Sequence, residues 1–158
     1  MRKDSRGFSL IELLIVVAII LIIAAIAIPN LLRSRIAANQ ASAVGSLRTI
    51  NTSEITYAST YNTGYSPDLI SLGPGATPPT PAAAGLVDSV LAAGTKSGYS
   101  FVYSPGAPVS GRIDVYDLNA NPTTAGTTGT NYYFSDQSGV IRQNSTGTAS
   151  ANDSPIGG

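Results

Sequence analysis

Among the 158 residues there is no cysteine, no histidine and no tryptophan. The first absence excludes disulfides and cysteine-ligated metal. The second removes the commonest general base and metal ligand, so a Ser-His-Asp arrangement cannot form. Charge is scarce as well. Ionisable Asp, Glu, Lys and Arg side chains make up 11% of the chain, nine of each sign, for a formal net charge of zero, against about 25% in an average soluble domain. A chain so weakly charged has no electrostatic footprint for nucleic acid. It is suited instead to dense packing against copies of itself, because like surfaces repel each other little. No constellation for catalysis, no cofactor and no metal is expected.

What is present is one long apolar run. Gly7-Phe8-Ser9-Leu10-Ile11-Glu12 leads into sixteen consecutive apolar residues, Leu13 to Ile28, and then Pro29-Asn30. At 1.5 Å per residue a helix from Leu10 to Ile28 spans roughly 28 Å, close to the ~30 Å hydrocarbon core of a bilayer. The leading flank Met1-Arg-Lys-Asp-Ser-Arg-Gly7 carries three basic side chains and one acidic, which places that end in the cytoplasm and the bulk of the chain outside. Between Phe8 and Arg33 only Glu12 is charged. A carboxylate within a membrane segment costs roughly 2.5–3.5 kcal/mol when central and less toward an end, so it calls for a partner. The nearest cation available to it is an α-amine, created only by a cut just before Phe8.

Gly7, Phe8-Ser9-Leu10-Ile11-Glu12-Leu13 and the apolar run ending Ile28-Pro29-Asn30 resemble the class III signal of type IV pilins and their pseudopilin relatives. The resemblance implies that a prepilin peptidase cuts after Gly7, that Phe8 becomes the N-methylated first residue, and that Glu12 serves subunit assembly by meeting the Phe8 amine of the adjacent subunit. An intrachain contact is the competing account of Glu12, since Phe8 and Glu12 are four apart on one helical face. The resemblance also implies an α+β pilin fold, a long N-terminal helix packed on a small antiparallel sheet. Many pilins close their C-terminal region with a disulfide, so this chain must fix that edge otherwise.

In chain order, residues 1–7 read as a leader to be removed. Residues 8–29 form the transmembrane and filament-core helix, and Pro29 bends the helix rather than stopping it. Residues 30–61 continue it as an amphipathic half, with Leu32, Ile36, Ala43, Leu47, Ile50, Tyr57 and Tyr61 at spacings of three, four or seven. Arg33, Arg35 and Arg48 fall off that stripe. The spacing places Gly64 as a left-handed cap, Ser66 and Pro67 as the start of a helical turn, and Leu69 and Leu72 as its anchors. Residues 62–98 form a Gly, Pro and Ala-rich connection, with Leu86–Leu91 as a short helical patch. Alternation predicts strands at Tyr99–Tyr103, Arg112–Leu118 and Asn131–Ser135, with Val140–Arg142 as a fourth, so that 99–143 is the sheet. The polar segment 144–158 is expected to be a mobile tail.

Weaker patterns have plainer accounts. Asp114, Asp117 and Asp136 lack the spacing of a calcium loop and read as solvated positions. Tyr57, Tyr61 and Tyr65 read as rings packed under the sheet rather than an electron path, because no aromatic lies between Phe8 and Tyr57. Asn51-Thr-Ser and Asn144-Ser-Thr match the glycosylation pattern, common in a chain this rich in Ser and Thr. Ala25-Ile-Ala27 matches a secretory cleavage site, but the run is too long and contains Glu12. The expected role is therefore structural. The subunit waits in the inner membrane, is processed by the prepilin peptidase, and is taken by the assembly machinery into a homo-oligomeric helical pilus at the cell surface serving adhesion, motility or DNA uptake. A pseudopilin of a type II secretion system, an uncleaved anchor, and a membrane-anchored binding domain that does not polymerise are the alternatives.

Overall fold

The computed structural model describes residues 8–75 and 77–157. The expected leader, Gly7 included, lies outside the described residues. Two compact units divide the chain, Met1–Arg35 and Ile36–Gly158. Helix α1, Leu10–Tyr61, runs through both without stopping at Pro29. A pyrrolidine ring inside a helix removes one amide donor, yet the strongly apolar residues before it and the helix-forming residues after it keep the backbone helical.

In the second unit, α1 is followed by two single turns, α2 (Leu69–Leu72) and α3 (Ser89–Ala92). Six strands then form one antiparallel sheet in chain order: β1 Thr95–Lys96, β2 Tyr99–Pro105, β3 Tyr116–Pro122, β4 Tyr132–Asp136, β5 Arg142–Asn144 and β6 Ser154–Pro155. The architecture is the α+β arrangement expected, a long helix followed by an antiparallel sheet. Along β3 burial alternates, with Tyr116, Leu118, Ala120 and Pro122 turned inward, as the period of two in a half-buried strand requires. Leu47 and Ile50 of α1, Leu72, Leu91, Tyr99 and Leu118 are all fully or almost fully buried in one continuous apolar cluster.

Local chemistry moves several expected boundaries. The left-handed residue just past α1 is Asn62, φ 56°, whose N–H reaches the Ala58 carbonyl. Gly64 is left-handed as well, φ 78°, but for a different reason: a Cβ there would lie 2.0 Å from the Ile113 carbonyl oxygen. That close approach pairs Gly64 with Ile113 and pulls Arg112–Val115 out of the strand expected for 112–118, so β3 begins at Tyr116. The α2 cap is Asp68, whose Oδ1 accepts from the Ser71 N–H at 2.8 Å and the Ser71 Oγ at 2.8 Å; Ser66, expected there, is buried elsewhere. Asp88 caps α3 through the Leu91 N–H, leaving Leu86 and Val87 before the helix.

Of the segment 144–158, expected as a mobile tail beyond a sheet ending at 143, the described residues, 144–157, instead close that sheet. Strand β6 pairs with β5. The Asp153 carboxylate accepts from Ser150 N–H at 2.7 Å, Ser150 Oγ at 3.0 Å and Asn144 Nδ2 at 2.9 Å, while Arg142 donates to the Asp153 carbonyl at 2.9 Å. Ala149 is buried and its carbonyl accepts from Asn119. Polar composition signals mobility only while the polar groups have water as their best partner. Here they have one another.

Candidate assembly segment and a buried acidic cluster

The described residues of the first unit are exposed almost throughout. Phe8 is 79% exposed, Leu10 76% and Leu31 69%, and the large apolar side chains between them are open along the whole helix. The helix is long and apolar enough to cross a membrane, and none of its apolar window is buried within the chain. Burying a Leu or Ile is worth about 1.5–3 kcal/mol, so a dozen such side chains left in water would cost on the order of 20 kcal/mol or more. The segment therefore requires lipid or protein around it.

Glu12 sits in the first turn of α1, where its Oε2 accepts the backbone N–H of Ser9 at 2.8 Å. The Ser9 carbonyl in turn accepts from the Leu13 N–H at 3.2 Å. In Ser9-Leu-Ile-Glu12, then, the glutamate reaches back to the residue that precedes the helix, half of a capping box. A carboxylate at this end also meets the positive end of the helix dipole. The expected partner of Glu12 was an α-amine; within one chain the partner is a backbone amide. Phe8 lies just ahead of the helix, Pro29 lies within it, and Gly7 is outside the described residues.

The second unit holds a polar cluster that pattern reading missed. Glu54 is completely buried. Its Oε2 accepts the Ser66 N–H at 2.8 Å and its Oε1 the Ser66 Oγ at 2.6 Å. Tyr103 donates to the Ser66 carbonyl at 2.9 Å. Nearby, Tyr116 donates to Asn51 Oδ1 at 3.0 Å and Asn51 donates to Ser135 Oγ at 2.8 Å. Burial raises the Glu54 carboxyl above its usual range, against the opposing effect of the Ser66 hydrogen bonds. Burial also raises Tyr103 and Tyr116, with the Glu54 charge adding to both. The signal was available: Leu47, Ile50, Glu54 and Tyr57 follow one another at spacings of three, four and three, which places the glutamate on the inward stripe.

The remaining sequence candidates stay apart. Asp114 pairs with Arg112 at 2.5 Å. Asp117 and Asp136 face each other across β3 and β4. Among the described residues no three His, Cys, Asp or Glu side chains gather as metal ligands would. Tyr57 is buried with its hydroxyl on the Pro81 carbonyl, Tyr61 lies against it at 4.8 Å, and Tyr65 packs edge-on against Tyr116 at 4.8 Å. Rings packed among core elements are what the sequence indicated. A surface cleft of about 410 Å³ lined by Arg48, Thr49, Thr52, Ser53, Thr56 and Leu86 has Arg48 as its single ionisable group.

An apolar, exposed, N-terminally capped helix followed by an α+β unit fits a membrane-anchored precursor. Over its N-terminal segment the chain is similar to type IV pilins. A family model described as the prokaryotic N-terminal methylation motif matches residues 2–28. The chain is 62% identical over 37 residues to the type IV wide pilus major component PilA4 of Thermus thermophilus, a match covering 23% of this chain and 28% of that protein. It is 47% identical over 55 residues to the type IV major pilin protein PilA of Myxococcus xanthus, covering 35% of this chain and 25% of that one. The chain thus spans about a quarter of the length of these curated relatives. No solved structure matches it.

Proposed function

We propose that this chain is a structural subunit of a type IV pilus, made as an inner-membrane precursor and polymerised through its N-terminal helix into an extracellular filament. The observation that carries the reading is the exposure of Phe8–Leu32, a lengthy, largely apolar surface in which Glu12 is the only charged side chain. Lipid covers it in the precursor and identical helices cover it in the filament. Because lipid is as apolar as leucine, the exchange releases little free energy, and close packing together with Glu12 sets the register. A head-to-tail contact whose rotation does not close yields an open helix of subunits.

On this reading a prepilin peptidase cuts between Gly7 and Phe8 and Phe8 is N-methylated. Its ammonium then meets Glu12 of the adjacent subunit. Opposite charges attract far more strongly in a medium of low dielectric constant than in water. Glu12 Oε2 already takes the Ser9 N–H, so the second oxygen is the one left for the amine. Pro29, lacking an amide proton for the Ala25 carbonyl, is where the helix bends. The names of the relatives, pilus major component and major pilin, support a filament subunit.

Mass spectrometry of the mature N-terminus, combined with microscopy of material sheared from cells, tests the proposal. A methylated Phe8 in surface filaments is the expected result. Recovery with Met1 attached, or with a terminus near Ala27, overturns it. Filaments confined to the periplasm point to the type II secretion pseudopilus instead. A deletion strain assayed for surface attachment, twitching and DNA uptake assigns the filament's task.

A further inference from the structure

We propose that Glu54, Ser66 and Asp68 form a proton-operated latch, in which the Ser66 hydroxyl switches its proton between the Glu54 carboxylate and the Asp68 carbonyl and so couples α1 to the start of α2. Ser66 is completely buried. Its Oγ lies 2.6 Å from Glu54 Oε1 and 3.0 Å from the Asp68 carbonyl oxygen. A hydroxyl has one proton and can donate to only one of them at a time.

With Glu54 ionised, the Ser66 proton goes to Oε1. With Glu54 protonated, the new proton on Oε1 is donated to Ser66 Oγ, and the Ser66 proton turns to the Asp68 carbonyl. One proton is taken from solvent, no other bond changes, and every donor keeps an acceptor. The Ser66 N–H holds Oε2 in both states, at 2.8 Å, and Tyr103 holds the Ser66 carbonyl. The cluster is thus fully satisfied around a neutral acid. Around the anion it leaves a buried charge with no cation: neither ion pair among the described residues involves Glu54. The ionisable groups near it are Tyr57 on α1, Tyr103 on β2 and Tyr116 on β3, with Asp68 beyond Ser66 and Asp136 beside Tyr116. All are acids. Burial raising the Glu54 carboxyl is consistent with this.

Asp68 is also the residue that caps α2, so the acid state joins α1 to α2 through an unbroken chain of donors and acceptors. Deprotonation removes the bond to the Asp68 carbonyl, and residues 62–73 open more readily as pH rises.

The test is hydrogen exchange of the full mature chain in detergent micelles, with the 62–73 peptide corrected for intrinsic exchange chemistry and compared with a β3–β4 peptide. Opening of 62–73 should increase with pH above the ordinary glutamate range, by at most about tenfold per pH unit, the limit for one linked proton. Glu54→Gln presents an oxygen to the Ser66 N–H and an N–H to Ser66 Oγ, mimicking the neutral acid, and should stay at the low-pH level throughout. Ser66→Ala should open the segment in acid as well. Wild type and Glu54→Gln following one pH course, or Ser66→Ala remaining protected in acid, overturns the latch. Should Glu54→Gln fail to fold, infrared titration decides. Glu12 and Glu54 are the chain's two glutamates, so glutamate-selective isotope labelling together with Glu12→Gln isolates the Glu54 band. Loss of its protonated band within the ordinary carboxylate range overturns the proposal; persistence above that range supports it.

Discussion

Two side chains of the same type, Glu12 and Glu54, end up with opposite surroundings. Glu12 is exposed within the chain and bonded to one backbone amide, so under the proposed function its value lies in what a neighbour brings. Glu54 is enclosed and served by one serine. Its raised pKa sets the sign of a pH effect: between the ordinary value of about 4.3 and the folded value, the folded state binds more protons than the unfolded. Stability from this group is therefore fully present below the ordinary value and is lost as pH rises through the folded one. Thermal denaturation across that range should show the decline in wild type and a flatter profile in Glu54→Gln. Gly64→Ala tests a different residue-scale demand. A left-handed alanine costs about 1–2 kcal/mol, and the Ile113 carbonyl must also move. We expect a loss of at least about 2 kcal/mol in chemical denaturation. Glu12 was readable as a lone charge in an apolar run. Glu54 was overlooked because the stripe was traced through apolar residues alone.

Helix α1 was legible as an apolar run followed by a hydrophobic stripe, and β2 and β4 by their period of two, whereas β3 was legible only at 116–118. The short elements were not. β1 and β6 have two residues each, too few for any period to appear, and they exist because the neighbouring strand offers free backbone groups. The closure around Asp153 fixes the C-terminal edge by hydrogen bonding. Hydrogen bonds from Ser150, foremost its backbone N–H, hold the Asp153 carboxyl below its usual range. Its contribution is present at neutral pH and lost as pH falls through that lowered value. Asp153→Ala should release 144–157 to limited proteolysis, with cleavage there preceding any in β2–β4. Asp68→Ala removes an N-cap worth about 1 kcal/mol and should lower the thermal midpoint by a few degrees.

The two units have unlike energetics. Ile36–Gly158 owns the apolar cluster, whereas Met1–Arg35 presents its apolar surface outward. A chain beginning at Ile36 should accordingly be monomeric in water without detergent, with cooperative unfolding and sheet-containing circular dichroism. Mature full-length chain should stay dispersed only in detergent or as polymer. Aggregation of the shortened chain in water would show that the second unit depends on the first. Within the full chain, Glu12→Val should leave the folding of the second unit unchanged while reducing surface filaments at least tenfold, read by shearing and immunoblotting.

Sequence alone determined the apolar N-terminal segment, its likeness to a methylation motif and the α+β class. Those features are written as local runs and periods, and the chemistry of a membrane span needs only composition and length. The tertiary structure decided which polar residues went inside, how the C-terminal edge was sealed, and where β3 begins. Each of these depends on groups far apart in the chain: Glu54 on Ser66, Asn51 on Ser135, Gly64 on Ile113, Asn119 on Ala149. A buried polar group is tolerated only where a partner is delivered to it, and that delivery is a property of the folded chain.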